Sequence, residues 1–227
     1  MKAIILSAGR GTRLQPLTNT TPKSLLQVKN KPILEHILNN LPADISEVFI
    51  VVDYLSDHIK SFVDIAQDNY SFTIKCINQI KDKKGTMAAL LSVRDSLIDN
   101  ERFLVLNGDD IIEKKDIEKM LPYERSFGVQ KMIMPNYYKV VSKNGFLNTF
   151  ENQNETEKKV GVPIATGTYL IDTNIFNFTN RLLKGDEIGI PQTIIDNKDV
   201  YPINVVEFHS WKPINTIEDL EKVNHVD

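Results

Sequence analysis

The chain has 227 residues, with 27 basic and 30 acidic side chains, a net charge of −3, 41% apolar residues and one cysteine. This composition is globular rather than disordered, is long enough for one α/β core, and excludes a general nucleic-acid binder. No apolar run approaches the ~20 residues of a membrane span, no signal-peptide pattern opens the sequence, and the lone Cys76 excludes an internal disulfide and suits a reducing compartment. A cytoplasmic protein with no membrane partner is therefore expected.

Ala3-Ile4-Ile5-Leu6 is a short apolar run that predicts a buried strand over 2–7. It leads into Ser7-Ala8-Gly9-Arg10-Gly11-Thr12-Arg13-Leu14-Gln15-Pro16-Leu17-Thr18, followed by Thr21-Pro22-Lys23. Two glycines let the backbone approach a ligand with no Cβ in the way, and successive N–H groups in such a turn form a concave anion site. Arg13 adds a planar fork of donors and Lys23 a compact point charge. Six of the 27 basic residues, and none of the 30 acidic ones, fall in residues 1–34. A strand end, a glycine turn and two cations make a polyphosphate cradle. It is not a P-loop, because no Lys follows Gly11. Nor is it a dinucleotide fingerprint, because Leu14 stands where the third glycine belongs.

Apolar residues at 33, 34, 37, 38 and 41 predict a helix over 33–41, with His36 off the apolar stripe. Val48 to Val52 is a continuous apolar run, hence a buried parallel strand. A helix over 56–66 and a strand over 72–78 follow, with Cys76 a small packing residue. Gly85-Thr86 opens a helix over 86–97, with Thr86 as N-cap. Phe103 to Leu106 is the next strand and ends in Asn107-Gly108-Asp109-Asp110. A carboxylate there sits on the ligand edge of an open α/β sheet. A helix over 114–121, a strand over 128–134 and a hairpin around Asn144-Gly145 follow. The polar stretch from Asn152 to Lys159 reads as a mobile surface loop. Strands are expected near 201–206 and 208–211. Thr216 with Asp219 three residues on reads as a helix start. The alternation of strand and helix implies right-handed βαβ units and a parallel sheet.

The opening block resembles the signature of the nucleotidyltransferase superfamily that makes nucleotide sugars. Ser7 for the usual Ala is its one departure. The resemblance extends from Pro22-Lys23-Ser24-Leu25 to Val28. It implies a Rossmann-like three-layer α/β sandwich with a mostly parallel sheet, forming a single domain: a nucleotide-binding half over 1–110 and an acceptor-binding half over 111–227. It implies nucleotide contacts at Leu6, Ala8, Gly9, Gly11, Thr12, Arg13 and Lys23. Gln79 with Gly85 and Thr86 match the family's nucleobase contacts, with one residue more between them than the pattern has. Gly108-Asp109 matches the family's metal motif, making Asp109 a Mg²⁺ ligand beside the substrate. Gly167, in Ala165-Thr166-Gly167-Thr168-Tyr169, matches the glycine that lets the acceptor approach the backbone. Asn215 stands where relatives carry an Asp as second metal ligand.

Two places depart from the sugar-enzyme pattern. Pro213 and Asn215 replace acidic residues, and Phe150-Glu151-Asn152-Gln153 lacks the lysine that grips a sugar phosphate; Lys158 and Lys159 lie out of register. The expected reaction is Mg²⁺-dependent transfer of a nucleoside monophosphate from an NTP to a phosphate monoester, with Arg13, Lys23 and Asp109 catalytic. The expected acceptor is a sugar 1-phosphate, with a small phosphorylated alcohol such as phosphocholine, and CTP as donor, as the alternative. An inactive nucleotide sensor is the rival from another class. The oligomeric state is left open, a homodimer included.

Overall fold

The structure, a computed structural model, describes residues 1–183 and 185–225. β1 (Lys2–Leu6) leads through three 3-10 turns (Thr12–Leu14, Leu17–Asn19, Lys23–Leu25) into the small ladder of β2 (Gln27–Val28) and β3 (Lys31–Pro32), then α1 (Ile33–Asn39). Next come β4 (Glu47–Val52), α2 (Ser56–Ala66), β5 (Thr73–Asn78), α3 (Thr86–Leu91) and β6 (Arg102–Asn107). They are followed by β7 (Asp110–Ile111), α4 (Lys114–Glu118), β8 (Ser126–Met132), β9 (Lys139–Lys143), β10 (Phe146–Glu151), α5 (Glu157–Val160) and β11 (Val162–Asp172). The described chain closes with α6 (Ile190–Asp196), β12 (Asn204–Glu207), β13 (Lys212–Pro213) and α7 (Ile217–His225).

Nine strands form one sheet in the order β5-β4-β1-β6-β11-β8-β12-β10-β9. Only β11 and β10 run against the rest, so the sheet is mostly parallel. Side chains alternate between its faces. Ala3, Ile5, Val48, Ile50, Leu104 and Leu106 face one core, with α1 and α2 packed on it. Ile4, Phe49, Val51, Phe103 and Val105 face the other, with α3 and α6. A sheet between two helical layers is the Rossmann-like sandwich expected. Burial on both faces is why its inner strands read as unbroken apolar runs. No helix among the described residues is long and apolar enough to cross a membrane.

The chain leaves β1 on one side, toward β4 and β5, and returns to its other side as β6. The carboxyl ends of β1 and β6 therefore flank a topological switch point, where open α/β sheets form a crevice. The glycine turn leaves β1 there, and Asp109 leaves β6 there.

Several expectations need correction. The helix from Thr86 stops at Leu91, and a 3-10 turn follows at Arg94–Ser96. The Ser92 hydroxyl bonds back to Ala88 O and accepts from Ile80 N, a local alternative to further helix. Thr86 is not the N-cap. Gly85 holds that place, and the Thr86 hydroxyl accepts from Ile190 N at the start of α6 instead. The stretch 152–159 lies mostly at the surface, as expected, but it is not a plain loop: Gln153 is buried, α5 starts in it at Glu157, and Glu157 pairs with Lys139 at 2.6 Å. The strand expected near 208–211 is displaced to Lys212–Pro213, paired with β7.

Candidate active site

The glycine turn is held from below. Leu14 is fully buried, and the Thr18 hydroxyl donates to Gly11 O at 2.9 Å. Gly11 has φ +61°, and a Cβ there would sit 3.2 Å from Lys23 Cβ, so glycine lets the turn close over the lysine stem. Gly9 is exposed, and a Cβ on it would meet nothing within 4 Å; its open side faces solvent. Arg13 sits on the first 3-10 turn and Lys23 on the third. Ala8 and Leu6 are half-buried against the core and Thr12 is exposed.

Arg13, Lys23, Asp109 and Asn215 meet in one cluster. The Lys23 ammonium pairs with Asp109 Oδ2 and donates to Asn215 Oδ1 at 3.3 Å. Arg13 donates to the same Asn215 oxygen at 3.1 Å. The Asn215 Nδ2 donates to the Tyr137 hydroxyl at 3.2 Å. The backbones are joined as well. Ile214 N donates to Asp109 O at 3.2 Å, and β13 pairs with β7 immediately beyond Asp109. Asn215 precedes a capping box in which Thr216 N donates to Asp219 Oδ2 and Asp219 N to Thr216 Oγ1. The cap sets where α7 starts and fixes Asn215 beside the turn.

Asp110 turns the other way. It is buried and accepts from Asn107 Nδ2 at 2.9 Å. Burial first, then the neighbouring Asp109 charge, raise its pKa well above the ordinary carboxylate value; Asn107 and Lys23 oppose the rise. The Trp211 indole N–H faces this carboxyl without reaching hydrogen-bond geometry. Gly167 lies on a bulged part of β11 with φ +70°. A Cβ there would fall 2.0 Å from Asn107 Nδ2. Its lack of a side chain is thus already required by the Asn107–Asp110 pair.

Beyond Tyr137 lies a cleft of about 470 Å³, lined largely by apolar and aromatic groups such as Tyr138, Phe150, Ala165 and Leu182, with Arg181 and Gln192 among the polar ones. Lys158 pairs with Glu155 at 2.7 Å, and neither it nor Lys159 lines the cleft. Sequence reasoning missed Tyr137 and Arg181. The adjacent tyrosines of Pro135-Asn136-Tyr137-Tyr138, two aromatics in a polar stretch, were the available signal for the first. A polar cavity of about 450 Å³ between Arg94 and Asn174 lies by the amino end of β6, at the other end of that strand from the cluster.

Gln79, Gly85 and Thr86 are not part of the four-residue cluster. Gln79 spends its amide on Lys83 O at 3.3 Å. Gly85 has φ +94°, and a Cβ there would meet Ile188 O at 2.3 Å, so the loop before α6 packs on it.

Among the described residues, no group of three or more His, Cys, Asp or Glu could hold a metal by itself. The Asp109 and Asn215 oxygens nonetheless converge on one cation, the Lys23 ammonium. Two hard oxygens on one side fit Mg²⁺, which takes its remaining positions from phosphates and water.

An open, mostly parallel α/β sheet, with a glycine turn and two cations at its switch point, defines a Rossmann-like α/β protein. A family model described as nucleotidyl transferase matches residues 2–188, and the chain belongs to that family. It is 32% identical over 233 residues to the bifunctional protein GlmU of Methanococcus maripaludis, covering 99% of this chain and 54% of that protein. It is 32% identical over 212 residues to mannose-1-phosphate guanylyltransferase 1 of Arabidopsis thaliana, covering 89% and 55%. The chain thus spans about half the length of these curated relatives. In fold it resembles a UDP-glucose pyrophosphorylase complexed with UDP-glucose, with a TM-score of 0.80 at 19% identity, over 98% of this chain and 96% of that one.

Proposed function

We propose that the chain joins a nucleoside monophosphate from an NTP to a phosphate monoester and releases pyrophosphate. The observation that carries this reading is the meeting of Arg13, Lys23, Asp109 and Asn215 at the switch point. Residues 1–110 hold the nucleotide, with its triphosphate along Ala8, Gly9, Gly11 and Thr12 at the end of β1 and its base toward Gln79, Gly85 and Thr86. Residues 111–227 hold the acceptor. An acceptor phosphate oxygen attacks the α-phosphorus in line. The new P–O bond forms as the bond from the α-phosphorus to the bridging oxygen breaks, and that oxygen's electron pair leaves with pyrophosphate. A phosphate dianion needs no general base near pH 7. The chain's task is positioning and charge neutralisation. Arg13 holds the departing β- and γ-phosphates, and Lys23 lies against the α-phosphate. Asp109 and Asn215 would hold Mg²⁺, which would supply charge neutralisation for the phosphates.

A sugar 1-phosphate is the acceptor in this reading, in line with the named activity of the plant relative. One observation favours the alternative, a CTP-dependent enzyme for a small phosphorylated alcohol such as phosphocholine. The cleft beyond Tyr137 is lined by aromatic groups and lacks the lysine that grips a sugar phosphate. Aromatic faces favour a quaternary ammonium. The test is a pyrophosphate-release screen of the four common NTPs against sugar 1-phosphates and phosphocholine, with Mg²⁺. Turnover with one pair is expected, and Lys23→Ala should lower kcat by roughly 10²–10³, the usual loss for one transition-state donor. No turnover with any pair would overturn the reaction, and full activity in Lys23→Ala would overturn the role of the lysine.

A further inference from the structure

We propose that Tyr137 is a positioning residue that keeps the Asn215 amide oxygen turned toward the cation site. The proposal rests on the metal role given above to Asn215. An asparagine has one oxygen that can coordinate a cation and one NH₂ that cannot. The two ends have the same shape, so the side chain works as a ligand only if something chooses between them. A carboxylate has no such requirement, because its two oxygens are equivalent.

Three side-chain contacts make the choice here. Arg13 and Lys23 donate to Oδ1, and the Tyr137 hydroxyl accepts from Nδ2. Two of the three are temporary in the proposed reaction, because Arg13 and Lys23 turn to the triphosphate. Among the described residues, the Tyr137 hydroxyl is the side-chain contact to the amide that remains. It must hold the orientation at the moment the oxygen is needed.

Tyr137 is built for this. Buried Gln153 donates through Nε2 to Met134 O at 2.8 Å and to Tyr137 O at 2.5 Å. Tyr137 N donates to Met134 O at 3.0 Å. The turn that carries the ring is thus stapled from inside, and the half-buried ring packs against the core. The hydroxyl is aimed by a rigid segment rather than by a free loop.

The test is Mn²⁺ binding, followed by electron paramagnetic resonance in the presence of a non-hydrolysable NTP analogue. Wild type, Tyr137→Phe, Asn215→Asp and the double variant are compared, and circular dichroism confirms that each is folded. Tyr137→Phe should weaken Mn²⁺ binding roughly three- to tenfold, the worth of one neutral hydrogen bond. In the Asn215→Asp background the same change should alter binding less than about twofold, because a carboxylate presents an oxygen either way. Wild-type affinity in Tyr137→Phe overturns the proposal. So does an equal loss in both backgrounds, which is the mark of a merely structural tyrosine. If wild type itself binds no Mn²⁺ with the analogue present, the metal role of Asn215 falls and the proposal with it. The first two outcomes leave that role standing, so the two failures are distinguishable.

Discussion

At the scale of single residues, the opening block carries one side chain whose chemistry works against the fold. Ser7 is buried, and its hydroxyl has no hydrogen-bond partner among the described residues. It presses on Gly108, where a Cβ would lie only 2.1 Å from the Ser7 oxygen. A buried hydroxyl left unpaired costs about 1–3 kcal/mol, whereas an apolar group of similar shape carries no such cost. Ser7→Ala should therefore raise stability by about 1 kcal/mol and Tm by roughly 2–4 °C. A fall in Tm would mean that the hydroxyl is satisfied by a group such as water. Gly108→Ala should be strongly destabilising in either background, because the new Cβ would also meet Leu6 O at 2.9 Å. The candidate site was legible at this scale wherever a residue type announces its chemistry. Arg13 and Lys23 stand in the opening block and Asp109 in the separate Gly108-Asp109 motif, and the three do meet in space. Tyr137 does not announce itself. Its relation to Asn215 is tertiary, and no spacing along the chain encodes it.

At the scale of elements, the segment that delivers Asn215 is tied down by one carboxylate. Asp116, on α4, is buried, and its Oδ2 accepts from His209 N, Ser210 N and the Ser210 hydroxyl. Lys119 donates to its other oxygen at 2.6 Å. Burial pushes the Asp116 pKa up, but Lys119, Ser210 and the two backbone N–H groups outweigh it and hold it at about 2, below the ordinary 3.8. A carboxylate whose folded pKa is depressed stabilises the fold above its unfolded pKa, and the benefit is lost as the pH falls through the folded value. The contribution should be about 2 kcal/mol at neutral pH and should disappear between about pH 4 and about pH 2, the window set by the two values. Chemical denaturation of wild type and Asp116→Asn across that range should show the two curves converging at acid pH. A constant gap would show that the charge is not what holds the segment. The same segment marks where sequence reading ran out. The inner parallel strands were legible because burial on both faces leaves unbroken apolar runs. A two-residue ladder such as β7 with β13 is too short to carry a period. α6 went unread because its Pro191 and β-branched residues, Ile190, Thr193, Ile194 and Ile195, weaken the helical signal. Its apolar residues at 190 and 194 and its proline in the first turn were the remaining clues.

At the scale of the whole molecule, the cluster joins parts of the chain that are far apart in sequence. Arg13 and Lys23 follow β1, Asp109 follows β6, and Asn215 precedes α7. α7 in turn docks on the segment after Lys23, where Asn224 accepts from Lys29 N at 2.7 Å and donates to Gln27 O at 3.3 Å. A ligand that bridges these groups binds only the folded arrangement, so it must stabilise the fold as a unit. Two cations against one carboxylate leave the cluster net positive, which suits a polyphosphate. The carboxylate repels that same polyphosphate unless a divalent cation lies between them. An NTP at about 100 times its Kd with Mg²⁺ should therefore raise Tm by about 5–10 °C, since saturation of that degree adds about 2.7 kcal/mol. Chelation of the metal should remove most of that shift, and Asp109→Asn should make the shift less dependent on metal. The NTP giving the largest shift names the base without any knowledge of the acceptor. A thermal shift below about 1 °C with every NTP, metal present, would separate the cluster from nucleotide binding altogether, because a site built from three distant segments cannot be filled without steadying them.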